Sequence, residues 1–263
     1  MSHAVGADAG RTAGPRPRVL TPSVLLATAR RALQQLRHDH RTVALLLLVP
    51  SVLMSLLAWM LVDQPGAFDR WGAPLLGVFP LIVMFLVTSV ATLRERTSGT
   101  LERLLAMPIG KADFLLGYGL AFGLAAAIQG VVVAGLAFGL LGLDVAGQVW
   151  AVFLLTVVVA VLGTALGLFV SAFANTEFQA VQFMPAVILP QLLLCGLVVP
   201  REALPRALEL VSNVLPMSYA VDAINEVVAG PVGADYWRAL GIVGLFVVGA
   251  LALGAVTLRR RTP

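Results

Sequence analysis

Six long apolar runs, at 42–62, 73–93, 112–143, 147–174, 178–199 and 239–258, dominate the chain. Each holds at least the roughly 20 residues that a helix needs to cross about 30 Å of hydrocarbon. The pattern predicts an all-α integral membrane protein with six transmembrane helices. The third and fourth runs exceed that length, which predicts tilt or projection beyond the bilayer. Little separates them, so they read as an antiparallel hairpin with a very short link. Pairs of glycines spaced by four, at Gly119/Gly123, Gly135/Gly139 and Gly163/Gly167, are candidate sites of close helix approach.

The polar stretches are few. Residues 1–21 are rich in Gly, Ala, Pro and Arg without periodicity and read as a disordered tail. Over 22–41, Leu25, Ala29, Ala32, Leu33 and Leu36 fall on one helical arc, with Arg30, Arg31, Gln34, Arg37 and His38 opposite. A basic amphipathic helix ahead of a span is expected to lie in the membrane interface, because little protein is at hand to cover it. The six-span domain then occupies 42–263. Between the last two spans, 200–238 is too polar to cross and too apolar for a free loop, so it reads as a re-entrant or interfacial helical hairpin.

Composition sharpens the class. Of 263 residues 59% are hydrophobic and 12% charged, against about 25% charged in a soluble domain. Fourteen of the 18 basic residues fall on one side of the six-span arrangement: seven from Arg11 to Arg41, then Arg94, Arg96, Arg103, Lys111 and Arg259–Arg261. The excess of arginine and lysine places both termini and the 94–111 loop in the cytoplasm. With so few charges elsewhere, the net charge of +4 is no nucleic-acid signature.

Chemistry is sparse. The histidines, His3, His38 and His40, all lie ahead of the first span, and one cysteine, Cys195, allows no intrachain disulfide. No metal site or catalytic set emerges. Ion-coupled carriers need charge near the midplane, and the spans offer only Asp63, Asp113 and Glu177 near their ends. The one lysine, Lys111, follows Gly110 but precedes Ala112, so the chain has no phosphate-binding loop. ATP and magnesium, if used, belong to another chain, and no cofactor is expected in this one. An ion-coupled secondary transporter and a non-transporting membrane assembly protein are the other classes the composition allows.

One polar island stands out: Arg94-Glu95-Arg96-Thr97-Ser98-Gly99-Thr100-Leu101-Glu102-Arg103-Leu104-Leu105-Ala106-Met107-Pro108. From Gly99 it reads as a short helix with one apolar and one charged side, ended by Pro108. It resembles the loop after the second span in permease subunits of ABC exporters of the daunorubicin-resistance, teichoic-acid and O-antigen type, which runs Arg-Glu-x-x-x-Gly-Thr-Leu-Glu-x-Leu-x-x-x-Pro. A second match is Pro185, Pro190, Cys195-Gly196, Pro200, Leu204-Pro205 and Leu215-Pro216-Met217-Ser218-Tyr219. Cys195 stands where serine is usual and Met107 where threonine is common.

The resemblance spans 22–260. It implies an N-terminal elbow helix, six spans and an outer hairpin, in a protein of the bacterial plasma membrane. It also implies a coupling helix that docks on an ABC ATPase through Glu95, Arg96, Gly99, Thr100, Leu101, Glu102, Arg103 and Leu104. Partners would be two ATPase subunits carrying ATP and magnesium, a second permease (identical or homologous), membrane lipid, and a hydrophobic or amphiphilic cargo such as a drug-like molecule, a lipid or a lipid-linked glycan. For the substrate path the candidates are Gln129, Phe178, Gln182, Phe183 and Met184. Glutamines between spans more often tie helices together. Glu177 is expected to begin the fifth span as a first-turn acid, with Asn175 or Thr176 as N-cap.

Overall fold

The computed structural model describes residues 22–97 and 111–257. The expected tail at 1–21 and the Gly99–Pro108 helix, with Gly99, Thr100, Leu101, Glu102, Arg103 and Leu104, lie outside the described residues. The described chain is helical: α1 (Pro22–His38), α2 (His40–Met60), α3 (Ala67–Thr97), α4 (Lys111–Gly139), α5 (Val149–Ser171), α6 (Glu177–Leu194), a 3-10 turn (Arg201–Ala203), α7 (Arg206–Ser212), α8 (Pro216–Ala229) and α9 (Ala234–Thr257). Six of these, α2 to α6 and α9, are long and apolar enough to cross a membrane, and the protein is a multi-pass membrane protein. They match the six runs of the sequence.

The centre of the bundle is the crossing of α3 and α5. Between membrane helices packing decides association, since lipid is as apolar as the side chains. Here Gly163 and Gly167 let two backbones meet. A methyl group at Gly167 would stand 2.6 Å from the Phe85 carbonyl oxygen, and one at Gly163 would collide with the Leu81 carbonyl. The other two spaced pairs do no such work. Gly135 and Gly139 have nothing within 4 Å of where a Cβ would be, and Gly119 and Gly123 meet only side-chain ends at 3.6 Å or more. Gly117 is instead the second tight site, where a Cβ would fall 2.7 Å from that of Thr28.

That second site corrects the reading of α1. The helix breaks from α2 at Asp39, whose carboxylate caps α2 by accepting from the Thr42 N–H at 3.1 Å and its hydroxyl at 2.6 Å. α1 does find protein to pack on. Thr28, Ala29 and Ala32 are buried where it crosses α4 at Gly117, while Leu25, Leu33 and Leu36 stay half-buried. Small residues rather than leucines form its contact stripe because the backbones are too close for larger ones.

The link between the third and fourth spans is also longer than expected. α4 ends at Gly139, and nine residues, Leu140–Gln148, precede α5. Gly142, at φ +71°, turns the chain so that the Leu143 N–H reaches the Ala137 carbonyl at 3.0 Å and Leu143 is buried. Gly147 then lies flat on the end of α8 and donates to the Val227 carbonyl at 2.9 Å. Likewise α6 stops at Leu194, five residues short of the apolar run, because Gly196 adopts φ +92° and carries the chain into the hairpin.

The 200–238 region does form a helical hairpin. α8 buries Met217, Ala220, Val221, Ala223, Ile224 and Val227 among α3, α5 and α9. α7 lies outside it with Leu208, Leu210 and Val211 exposed. Arg201 ties the two together. Its guanidinium donates to Asp222 and Asn213 and lies 5.6 Å from the centre of the Tyr219 ring, while the Tyr219 hydroxyl donates to the Asn213 carbonyl at 2.7 Å. All four tryptophans share this end of the bundle: Trp59 ends α2, Trp71 begins α3, and Trp150 and Trp237 begin α5 and α9 with ring centres 5.9 Å apart. Such a belt marks a membrane–water boundary. α9 begins five residues earlier than its apolar run, and its buried Tyr236 donates to the Ala151 carbonyl at 2.8 Å.

If the α3–α5 crossing holds the bundle, Gly167→Leu forces the helices apart and lowers stability by about 1–3 kcal/mol, the usual cost of overpacking. Gly135→Ala, with open space around it, leaves the thermal midpoint unchanged or slightly raised. Thermal unfolding of the two detergent-solubilised variants separates the outcomes; equal midpoints for both would show that the crossing is not critical.

Candidate coupling site at the end of the second span

α3 has 31 residues, a length of about 46 Å at 1.5 Å per residue, so it outruns the roughly 30 Å hydrocarbon core. Its last turn carries Arg94, Glu95 and Arg96, at the end opposite the tryptophans. Three consecutive residues on a helix point about 100° apart, and here each reaches a different helix.

Arg94 forks onto Glu177 at the start of α6, Nε to Oε1 at 2.7 Å and Nη2 to Oε2 at 3.0 Å. Glu95 turns to α1, where Arg31 donates to its Oε2 at 3.0 Å and Gln35 to its Oε1 at 2.8 Å. Arg96 donates to the carbonyl of Ser171, the last residue of α5. This one turn is therefore bonded to α1, α5 and α6 at once. Glu177 begins α6 in the expected way: Thr176 is the N-cap, accepting from the Gln179 N–H at 3.2 Å, and the Gln179 side chain accepts from the Asn175 N–H at 2.8 Å. Its ion pair with Arg94, 83 residues away in sequence, is what the sequence reading lacks. The available signal is that both residues sit at span ends on the same side.

Of the coupling candidates, Glu95 and Arg96 fall in this turn; the other six lie beyond the described residues. The path candidates are not gathered in one place. Gln129 is fully buried, and its amide donates to the Leu46 carbonyl at 2.8 Å, tying α4 to α2. On α6, Phe178 and Gln182 lie on an exposed stripe with Pro185, Leu189 and Leu193, whereas Phe183 and Met184 turn half-buried toward the core. Four of the five are thus on one helix but on two of its faces.

The family model described as ABC-2 type transporter matches residues 23–228. The chain belongs to the ABC-2 type transporter family. The matched region runs from α1 through α8 and includes the turn at Arg94–Arg96. Members of this family are the permease subunits of ABC exporters, and a permease subunit is not itself catalytic. Among its relatives, ABC transporter G family member 20 of Dictyostelium discoideum is 28% identical over 178 residues, 66% of this chain and 24% of that protein. The probable multidrug ABC transporter permease YbhR of Escherichia coli is 27% identical over 168 residues, 63% of this chain and 45% of that protein. Nodulation protein J of Neorhizobium galegae is 29% identical over 172 residues, 64% of each. The ABC-2 chain thus spans a quarter to under two thirds of the length of these relatives.

The three ties differ in burial, so they differ in cost. Arg94 and Glu177 are each about half exposed or more, and Glu177→Ala is expected to cost less than about 1 kcal/mol. Glu95 is 13% exposed, and Glu95→Ala removes two hydrogen bonds to a carboxylate, from Arg31 and Gln35, at about 1–3 kcal/mol. Chemical or thermal unfolding of both variants checks the order; a larger loss for Glu177→Ala would reverse the assignment of which tie bears on stability.

Proposed function

We propose that this chain is the membrane subunit of an ATP-driven bacterial exporter that moves hydrophobic or amphiphilic compounds outward across the plasma membrane. Two ABC ATPase subunits, which carry ATP and magnesium, bind at Glu95 and Arg96 and at the segment that follows, with Gly99, Thr100, Leu101, Glu102, Arg103 and Leu104. A second permease completes the assembly. The observation that carries this reading is the turn Arg94–Arg96: it adjoins that segment and is bonded to three helices. A push on the segment would displace α1, α5 and α6 together. The exposed stripe of α6, with Phe178 and Gln182, faces the second permease across the substrate path, and Gln129 serves as a tie within one subunit. Membrane lipid is the source of the cargo or its neighbour.

An ion-coupled carrier fits less well. Among the described residues, the buried polar groups of the spans away from their ends are hydroxyls and amides, such as Thr88, Thr156, Thr164, Gln129 and Gln191. None of them binds or releases a proton near neutral pH. A purely structural assembly protein would have no use for a turn that links three helices to an external segment.

Two measurements test the reading. Arg206, 76% exposed on α7, is expected to be labelled from outside intact cells as Arg206→Cys, and Ser98→Cys is not. Labelling at position 98 would invert the topology. In membranes with the ATPase present, Glu102→Ala and Gly99→Pro are expected to keep normal permease levels but lose substrate-stimulated ATP turnover, since interface charges set docking and register. Normal turnover in both would remove the coupling role.

A further inference from the structure

Between α1, α2 and α3, with α4 as its floor, lies a recess of about 330 Å³. This volume is in the range of small-molecule sites. Leu36, Leu86, Val87, Val90 and Phe122 give it apolar walls, and Leu45 at its edge is exposed, so it opens at the side of the bundle. Two attachments of α1 border it. Thr28 sits on Gly117 of α4, and Arg31 and Gln35 hold Glu95 of α3. Beyond the Thr28 contact, Ala32, Gln35 and Leu36 of α1 close one side of the gap.

The polar rim of this gap is unequal in sign. Asp39, Glu95 and Arg94 line it. Glu95 is matched by Arg31, and Arg94 by Glu177. Asp39 forms no ion pair among the described residues; both its oxygens are held by Thr42, at 3.1 and 2.6 Å. Those hydrogen bonds, together with the charge of Arg94 nearby, keep its carboxyl below the usual carboxylate range, so it is ionised at neutral pH. The cap also fixes it in place, so no ordering cost falls on a ligand that meets it. Two carboxylates, Asp39 and Glu95, and one guanidinium, Arg94, thus line an apolar hollow. Tyr118 and Phe122 line it as well, and aromatic faces attract cations.

We propose that this recess is a binding site for a lipophilic organic cation, its apolar body on the leucine and valine walls and its charge against Asp39. An anionic amphiphile of equal shape would meet the same walls and the wrong sign. The assignment of such cations as cargo rests on the export reading; the binding itself does not, since the recess lies within one subunit and needs neither ATP nor a partner.

The sign of the charge can be isolated with tetraphenylphosphonium and tetraphenylborate, which share a shape and differ in charge. Equilibrium dialysis would use the full chain in dodecyl maltoside, an uncharged detergent, with protein-free micelles subtracted. The cation is expected to bind saturably, one per chain, at least about tenfold more tightly than the anion, a difference of about 1.4 kcal/mol. Asp39→Asn keeps a side-chain oxygen to cap α2 and is expected to abolish most of that preference. Val87→Trp, or the smaller Ala91→Leu, fills the hollow and is expected to remove saturable binding, in samples whose unfolding midpoint shows that they are folded. Equal binding of the two ions, or undiminished cation binding in folded Val87→Trp and Ala91→Leu, would overturn the site. Either result leaves the export reading standing, because that reading is tested by ATP turnover with the ATPase present.

Discussion

The rest of the bundle depends on a backbone-to-backbone contact between α3 and α5. In hydrocarbon no hydrophobic force draws two apolar helices together, so the pair with the closest approach sets the frame. Gly163 and Gly167 admit the Leu81 and Phe85 carbonyls of α3, and everything near that axis follows. On one flank α8 fits because Val221 and Ile224 reach the same cleft as Gly77 and Val159. Toward the opposite end, the crossing sets the last turn of α3 beside the last residue of α5, within reach of its carbonyl. Only a short turn, 172–176, separates that carbonyl from Glu177. The bonds of Arg94 and Arg96 therefore follow from where the glycines lie, about one and two turns before Ser171.

Much of this is legible in the sequence because the bilayer leaves few options. A backbone in hydrocarbon must satisfy its own hydrogen bonds, so apolar runs of sufficient length become helices, and six do. Helix ends are less legible. The α4 and α6 runs stop early at Gly139 and Leu194 because Gly142 and Gly196 take left-handed conformations, and an apolar flank gives no hint that the chain has left the helix. α9 starts early for the converse reason: Tyr236 is polar enough to close a hydropathy window yet buried enough to anchor the helix. Glycine spacing alone does not find the tight crossing either. Three pairs share the same spacing, and only the pair facing another backbone matters. Gly117, with no partner four residues away on its contact face, is as tight.

The candidate site divides along the same line. The Arg94–Arg96 turn is visible as a charged break after the second span, but its partners are not. Arg31, Gln35 and Glu177 are separated from it by 60 residues or more, and a surface ion pair leaves no local signature. Glu95 is the instructive residue. By pattern it is one of several charges on an exposed island; by position it is largely covered, because α1 folds back over α4 and carries Arg31 to it. An amphipathic helix whose contact stripe is Thr28, Ala29 and Ala32 presents its arginines sideways to α3, and the polar face becomes a structural element in its own right.

The two least-covered spans, α2 and α6, then call for different explanations. Past its first turn, the exposed side of α2 is apolar throughout: Leu45, Leu48, Val52, Leu53, Leu56, Trp59 and Met60. Lipid chains satisfy such a surface without a partner. The exposed side of α6 carries Gln179, Gln182, Pro185 and Pro190 among Phe178, Leu189 and Leu193. Gln179 already accepts from the Asn175 N–H, but the Gln182 amide facing acyl chains would find no partner there, at a cost lipid cannot offset. Another protein surface, or water in a path, does offset it. The prolines act in the same direction, since each frees a carbonyl one turn earlier that needs a donor. The α6 stripe is thus the part of the bundle least suited to lipid, and it begins at Glu177, the residue held by Arg94. An ion pair thus joins the turn at the end of α3 to the first residue of the helix whose surroundings are least settled. The α1–α4 recess lies on the other side of that turn and shares Arg94 and Glu95 with it, so a molecule lodged there sits against the same joint.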